Sequence, residues 1–156
     1  MTKKHLLTIF IIVWLNVIFL FSSASSTSSN DLSYTVSNYI ITITNKLGLT
    51  DLDGYERYYI VYKINKPIRK IAHMTEYFIL ACLVFHVIKL YRPKSNGYLL
   101  TFIFCFLYAI TDEFHQLSVT GRNGQFIDCI IDSIGCLTYL TLKCLKDKFF
   151  TKNLGK

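Results

Sequence analysis

The sequence predicts an all-α integral membrane protein, a four-helix transmembrane bundle with an outer-face segment of short surface helices between its first two spans. The chain of 156 residues is 52% hydrophobic and 17% charged. Its Leu, Ile and Phe residues come in runs rather than at the spacing of a water-exposed amphipathic helix. Its 17 Lys and Arg residues flank those runs and leave the interiors nearly empty. A net charge of +7 distributed in this way is membrane-flank charge. With no RNA- or DNA-binding motif beside it, it points to the lipid bilayer and away from nucleic acid as a partner. The length suits one membrane domain, residues 1–156.

The first span, about residues 6–22, contains the run Leu6 to Phe21, broken only by Thr8 and Asn16. Lys3 and Lys4 before it and Ser22-Ser23-Ala24 after it also fit a secretory signal peptide. Because further spans follow, a retained helix is the expectation. The second span, about 68–91, opens after Pro67, a residue tolerated in the first turn of a helix. The third, about 98–117, starts at Gly97, and the fourth covers about 126–145. A hydrocarbon core of about 30 Å needs about 20 helical residues. The apolar stretch Tyr98 to Ile110 is shorter than that, so the third span must carry Asp112 through Gln116 toward membrane depth.

The outer segment, residues 22–67, begins with a Ser-rich stretch, Ser22 to Ser29, that reads as a loop. Asn30 or Asp31 could then cap a helix with Val36, Ile40, Ile43 and Leu47 on one side and Gly48 as its stop. A Tyr-rich piece, Tyr55 to Ile64, follows, and both pieces suit the membrane surface. Thr42 to Thr44 leaves a local strand open. The five cysteines lie in apolar runs without a metal or redox spacing and read as packing residues.

Orientation follows from basic residues. With the N-terminus inside, the inner segments hold Lys3, Lys4, Lys89, Arg92, Lys94, Lys143, Lys146, Lys148, Lys152 and Lys156. The outer ones hold Lys46, Arg57, Lys63, Lys66, Arg69, Lys70 and Arg122, ten against seven. The expectation is a multi-pass protein with both termini cytoplasmic. That topology brings three polar groups to one outer end. Lys70, His73 and Glu76 lie on the second span with Tyr77 beside them. Asp112, His115 and Gln116 share a face of the third, with Tyr108 a turn below and Glu113 about 100° away. Asp128 and Asp132 stack on the fourth, where Gly135 would admit a close neighbour, and Gly121-Arg122-Asn123-Gly124 makes the turn between the last two spans.

Charges at membrane depth face a bundle interior or an aqueous cavity. Glu76, Asp112, Glu113, Asp128 and Asp132 set against Lys70 and Arg122 leave three negative charges over, 5 − 2. A self-paired lock between helices should be nearer balance. A polar pocket open to the outer face is therefore expected, with Lys70, His73, Glu76, Asp112, Glu113, His115, Gln116, Arg122, Asp128 and Asp132 as ligand-binding candidates. A divalent metal on His73, Glu76, Asp112 and His115 is one chemistry such a pocket could support, with Glu113, His115 and Asp128 the catalytic candidates.

Arg69-Lys70-Ile71-Ala72-His73-Met74-Thr75-Glu76-Tyr77, Asp112-Glu113-Phe114-His115-Gln116, Gly121-Arg122 and Asp128-x-x-x-Asp132-x-x-Gly135 together resemble the VanZ-like family, over about Trp14 to Leu142. The resemblance implies a protein of the bacterial cytoplasmic membrane and cell envelope, of the type associated with teicoplanin resistance. It implies no settled reaction. Three functions remain open. One is binding or modifying a lipid-linked cell-wall precursor or anionic lipid at the outer leaflet. Another is a transporter or assembly partner, alone or as a homo-oligomer, with a proton-relay or structural network. The last is phosphatase-like hydrolysis, which Arg122-x5-Asp128-x3-Asp132 echoes in spacing but with Asp128 where that motif has its nucleophilic histidine.

Overall fold

The computed structural model describes residues 2–122 and 124–154, with the side chains of Lys3 and of residues 150–154 excepted. Asn123 and the side chains of Lys3, Lys152 and Lys156, used above for the turn and the orientation, lie outside the described residues. The architecture is all-helical, in the order α1 (Lys3–Ser23), α2 (Ser26–Lys46), α3 (Gly54–Tyr91), α4 (Gly97–Gln116) and α5 (Phe126–Leu154). Three helical stretches, Lys4–Ser23, Gly54–Tyr91 and Gly97–Gln116, are long and apolar enough to cross a membrane. α5 has the length, with 29 residues, but carries Asp128, Asp132 and Lys143 within its apolar run.

Side-chain meetings fix the helix directions. Trp14 reaches Glu76 and Lys4 reaches Tyr91, so α1 runs against α3. Tyr108 meets Tyr77 and Tyr98 meets Phe85, so α4 also runs against α3. Lys70 faces Asp128, Phe78 faces Tyr139 and Phe85 faces Lys143, so α5 runs with α3. The core fills the space between them. Tyr77, Leu80, Ala81, Val84 and Phe85 of α3 pack on Cys105 and Ala109 of α4, on Cys129, Cys136, Tyr139 and Leu140 of α5, and on Ile18 of α1. All five thiols are free, and three of them are buried at these contacts. Away from the core, Leu6, Ile9, Phe10 and Val13 on α1 and Phe126, Ile130, Ile134, Leu137 and Leu145 on α5 form exposed apolar stripes.

The segment between α1 and α3 departs most from expectation. The Ser-rich stretch is helical: α1 ends at Ser23, and Ser25 caps α2 by accepting from the Ser28 backbone N–H. Asn30 is not a cap; its side-chain oxygen accepts from Arg69 at 3.1 Å. Serines in this context need not form a loop, since Ser33 and Ser37 bond back to carbonyls four residues earlier and, being small, let α2 seat closely on α3. Thr42 bonds back in the same way, so the local strand is not formed. Gly48, at φ +69°, follows the C-cap Leu47 as expected. Pro67 does not open a span but sits inside α3, which starts at Gly54. The 38 residues of α3 rise about 57 Å, nearly twice a hydrocarbon core of about 30 Å.

α3 and α5 touch backbone to backbone. A Cβ at Gly135 would stand 2.0 Å from the Met74 carbonyl oxygen and 2.8 Å from its carbon. Backbone cannot yield as a flexible side chain can, so Gly135→Ala must push the two helices apart. We expect it to destabilise the fold by about 1–3 kcal/mol, as overpacking does. Thermal unfolding of the purified protein in detergent measures this, and an unchanged midpoint would show that the helices have room.

Candidate functional site

The polar groups of α3, α4 and α5 meet at one end of the bundle. They surround a cavity of about 310 Å³. Seven of the ten residues chosen from sequence line it: Lys70, His73, Glu113, Gln116, Arg122, Asp128 and Asp132. The other three lie behind or beside it. Glu76 stands 3.3 Å from His73, Oε2 to Nδ1. These two atoms are buried without an aligned hydrogen bond, so the contact is electrostatic. Asp112 is buried and accepts from Gln116 Nε2 at 3.0 Å.

His115 is the main correction. It does not join Asp112 and Gln116 but turns to α1, where its ring stacks on Phe19 at 4.4 Å and Nε2 lies 2.9 Å from Ser23 Oγ. Glu113 moves the opposite way. Although about 100° around the helix from Asp112, it is buried and points into the cavity. The turn folds over it: the Gln125 backbone N–H donates to its Oε2 at 2.8 Å. Gly124 presses so closely on α4 that a Cβ there would stand 2.5 Å from the Glu113 carbonyl oxygen. The four residues proposed for a metal, His73, Glu76, Asp112 and His115, therefore do not form one cluster. Among the described residues, the ligand-type atoms that converge are one oxygen each of Asp112, Glu113 and Asp132, all within 4.8 Å of one another.

The cavity also has walls that the sequence did not suggest. Lys66, one turn before Lys70, and Arg69, one turn before His73, line it together with Ser26 and Gln125. In sequence both read as basic charge of the outer segments. With α3 continuous from Gly54, they stand over the site. Adding them to Lys70 and Arg122 changes the balance from three surplus negatives to one, 5 − 4. The charges are layered. Lys66 and Lys70 are exposed and Arg69 and Arg122 half-buried, whereas Glu113 and Asp132 are buried. Lys70 lies 3.8 Å from Asp128, a half-exposed pair worth at most about 1 kcal/mol.

Arg122 has a structural task. Its Nε donates to the Ala24 carbonyl at 2.9 Å and its Nη2 to the Phe21 carbonyl at 3.1 Å, so it closes the C-terminal end of α1. It forms no ion pair with Asp128 or Asp132 among the described residues. Burial, and then the neighbouring Arg69 guanidinium, hold its pKa below the ordinary arginine value, while Asp112, Glu113 and Glu76 pull it back. It stays charged, as arginine does.

A family model described as VanZ/LLP1 matches residues 7–146. No curated protein and no solved structure matches the chain.

The two bonds of Arg122 give a direct prediction. Arg122→Lys keeps the charge but offers a single ammonium where a fork now reaches two carbonyls. Hydrogen bonds to charged groups are worth about 1.5–3 kcal/mol, so losing one should destabilise the protein by about 1.5 kcal/mol. A thermal melt of Arg122→Lys that overlays the parent would mean that the α1 end is held by its other contacts alone.

Proposed function

The chain belongs to the VanZ-like family, and we propose that its cavity binds the anionic group of a lipid-linked or cell-wall component at the outer leaflet of a bacterial cytoplasmic membrane. This binding would underlie tolerance of teicoplanin-type glycopeptides, by altering the accessibility of their membrane-anchored target. The observation that carries the reading is the cationic rim. Lys66, Arg69, Lys70 and Arg122 converge on one opening above buried acids, and only Lys70 lies within 4 Å of a carboxylate among the described residues. Positively charged mouths with low-dielectric walls concentrate anions, and guanidinium and ammonium groups suit phosphate and carboxylate oxygens.

Four crossings, with α5 as the fourth, make this geometry consistent with a bilayer. The exposed stripe of Phe126, Ile130, Ile134, Leu137 and Leu145 supplies α5 with a lipid face, while Asp128 and Asp132 turn to the cavity. The length of α3 supports the first half of that helix, with α2, lying at the outer surface. The inner half of the bundle favours binding over transport. Below the acids, the almost fully buried Tyr77, Ala81, Cys105, Ala109 and Cys136 make a mainly apolar interior. For phosphatase chemistry, Asp128 lacks the basic nitrogen of a histidine nucleophile and stands beside Lys70.

Topology is checked by cysteine labelling in a background free of native cysteines. Ser26→Cys should react with an impermeant reagent from outside, and Asn96→Cys should not react in intact cells; the reverse pattern would place the cavity on the inner face. Function is tested at the rim. Because Lys66 and Lys70 are exposed, Lys66→Gln combined with Lys70→Gln should leave protein abundance intact. The teicoplanin tolerance conferred on a sensitive bacterium should fall to that of cells lacking the protein. Tolerance that survives, or that declines only in step with abundance, would make the polar groups a lock between helices.

A further inference from the structure

The floor of the cavity differs chemically from its rim. Asp112 and Glu113 come from the last turns of α4 and Asp132 from the second turn of α5, and one oxygen of each lies within 4.8 Å of the others. All three are buried, with 4%, 7% and 3% of their surface exposed. Asp112 is met by Gln116 and Glu113 by the Gln125 backbone, each through a single oxygen. Asp132 has no hydrogen bond and no ion pair among the described residues, although it faces the cavity. A second orphan lies beside it. The Tyr77 hydroxyl, fully buried with Asp132 and Asp112 as its electrostatic neighbours, has no partner either. Buried polar groups are almost always satisfied, and a buried carboxylate all the more so. The fixed cations of the rim do not satisfy these: Lys70 stands by Asp128, and Arg122 is bonded to α1 carbonyls.

We propose that Asp112, Glu113 and Asp132 form a binding site for a divalent cation of the hard class, Mg²⁺ or Mn²⁺, at the cavity floor. An all-carboxylate set favours such ions over zinc or copper. Two helices hold the three oxygens on rigid backbone, and the cavity above leaves room for water or a ligand oxygen to complete the sphere. Mg²⁺ in particular is bound through few carboxylates and keeps positions for water or substrate phosphate. In its consequence for the ligand the inference rests on the anion-binding reading above. A cation below and Lys or Arg side chains above would grip a phosphate-class group from two sides, which selects phosphate over a simple carboxylate.

The cation is tested first without any lipid phosphate. The full-length protein is placed in phosphatidylcholine nanodiscs and titrated with Mn²⁺, with free Mn²⁺ read by electron paramagnetic resonance. One Mn²⁺ per chain, displaced by Mg²⁺, is the expected result. Loss even of an outer-sphere partner weakens metal binding by about 10–100-fold. Asp132→Asn, which removes a ligand, should therefore weaken Mn²⁺ at least tenfold, and Asp147→Asn, at the far end of α5, should not. If Asp132→Asn does not fold, Asp132→Glu keeps the charge on a longer arm and should still shift the affinity. No bound Mn²⁺, or binding unaffected by either Asp132 variant, overturns the site. A separate arm adds phosphatidic acid to the nanodiscs. Mn²⁺-dependent phosphatidic acid binding supports the two-sided grip. Phosphatidic acid binding that is the same with and without Mn²⁺ overturns the two-sided grip and spares the anion-binding reading. Mn²⁺ binding without phosphatidic acid binding supports the cation site and counts against the phosphate grip.

Discussion

No side chain larger than a hydrogen fits at position 135 while α3 and α5 keep their present separation, because the Met74 carbonyl occupies the place a Cβ would need. That contact decides what the rest of this end of the bundle can do. The two helices run in the same direction, so residues shortly before Met74 and Gly135 are brought opposite one another. These are His73 and Lys70 on one helix and Asp132 and Asp128 on the other. A wider spacing would weaken the Lys70–Asp128 pairing and open the cavity floor to water. Both changes raise the effective dielectric around the acids, and electrostatic interactions weaken with it. The close approach is also what small-residue contacts give in helices that lack a hydrophobic drive to associate.

On this frame the charges separate by depth. The acids sit at the ends of α4 and α5, where the chain turns and where Gly124 and Gln125 close over Glu113. The cations come mainly from α3, which continues past the bundle and carries Lys66, Arg69 and Lys70 within about one turn above the opening. Such layering differs from the pattern of a self-neutralising lock, which interleaves opposite charges at contact distance. Here only Lys70 with Asp128 and His73 with Glu76 approach within 4 Å at this site among the described residues. Arg69, by contrast, reaches sideways to Asn30 and thereby ties α2 to the rim.

What could be read from the sequence was whatever depends on one helix at a time or on alternating topology. The runs of apolar residues located α1, α4 and the start of α5. A 13-residue apolar stretch is too short to span, and α4 accordingly runs on to Gln116 and buries Asp112, Glu113 and Gln116. Gly135 was legible as a close-contact residue. Contacts between helices were not. His115 and Asp112 are neighbours on a helical wheel, yet the wheel does not say that Phe19 and Ser23 of α1 will draw the imidazole away. Nor does it say that the α4–α5 turn will enclose Glu113. The continuity of α3 through Pro67 was hidden because proline is more often a first-turn residue. Its missing N–H removes one hydrogen bond without ending the helix, and packing of α2 against the segment supports it.

The part played by α1 was the least legible, and the reason is chemical. Its composition is that of a secretory leader, since the side chains on its exposed face, Leu6, Ile9, Phe10 and Val13, have only an apolar environment to satisfy. Its ties to the site run largely through backbone atoms, which every sequence contains. The Leu15 carbonyl accepts from the Tyr108 hydroxyl at 2.8 Å, and the Phe21 and Ala24 carbonyls accept from Arg122. In return, Trp14 donates to the Glu76 carbonyl at 3.0 Å. The carbonyls at a helix C-terminus are unsatisfied by construction and carry partial negative charge. Arg122 therefore finds acceptors there whatever residues α1 bears, and the end of α1 gains a cation suited to its dipole. If α1 were removed after Ala24, Arg122 and His115 would each lose the partners that now orient them, and Tyr108 its acceptor. The remaining site would then hold a free guanidinium above three closely spaced acids, and nothing would keep it from collapsing onto them. By engaging Arg122, α1 keeps the rim cation apart from the acid floor, and that separation leaves both charges facing the cavity.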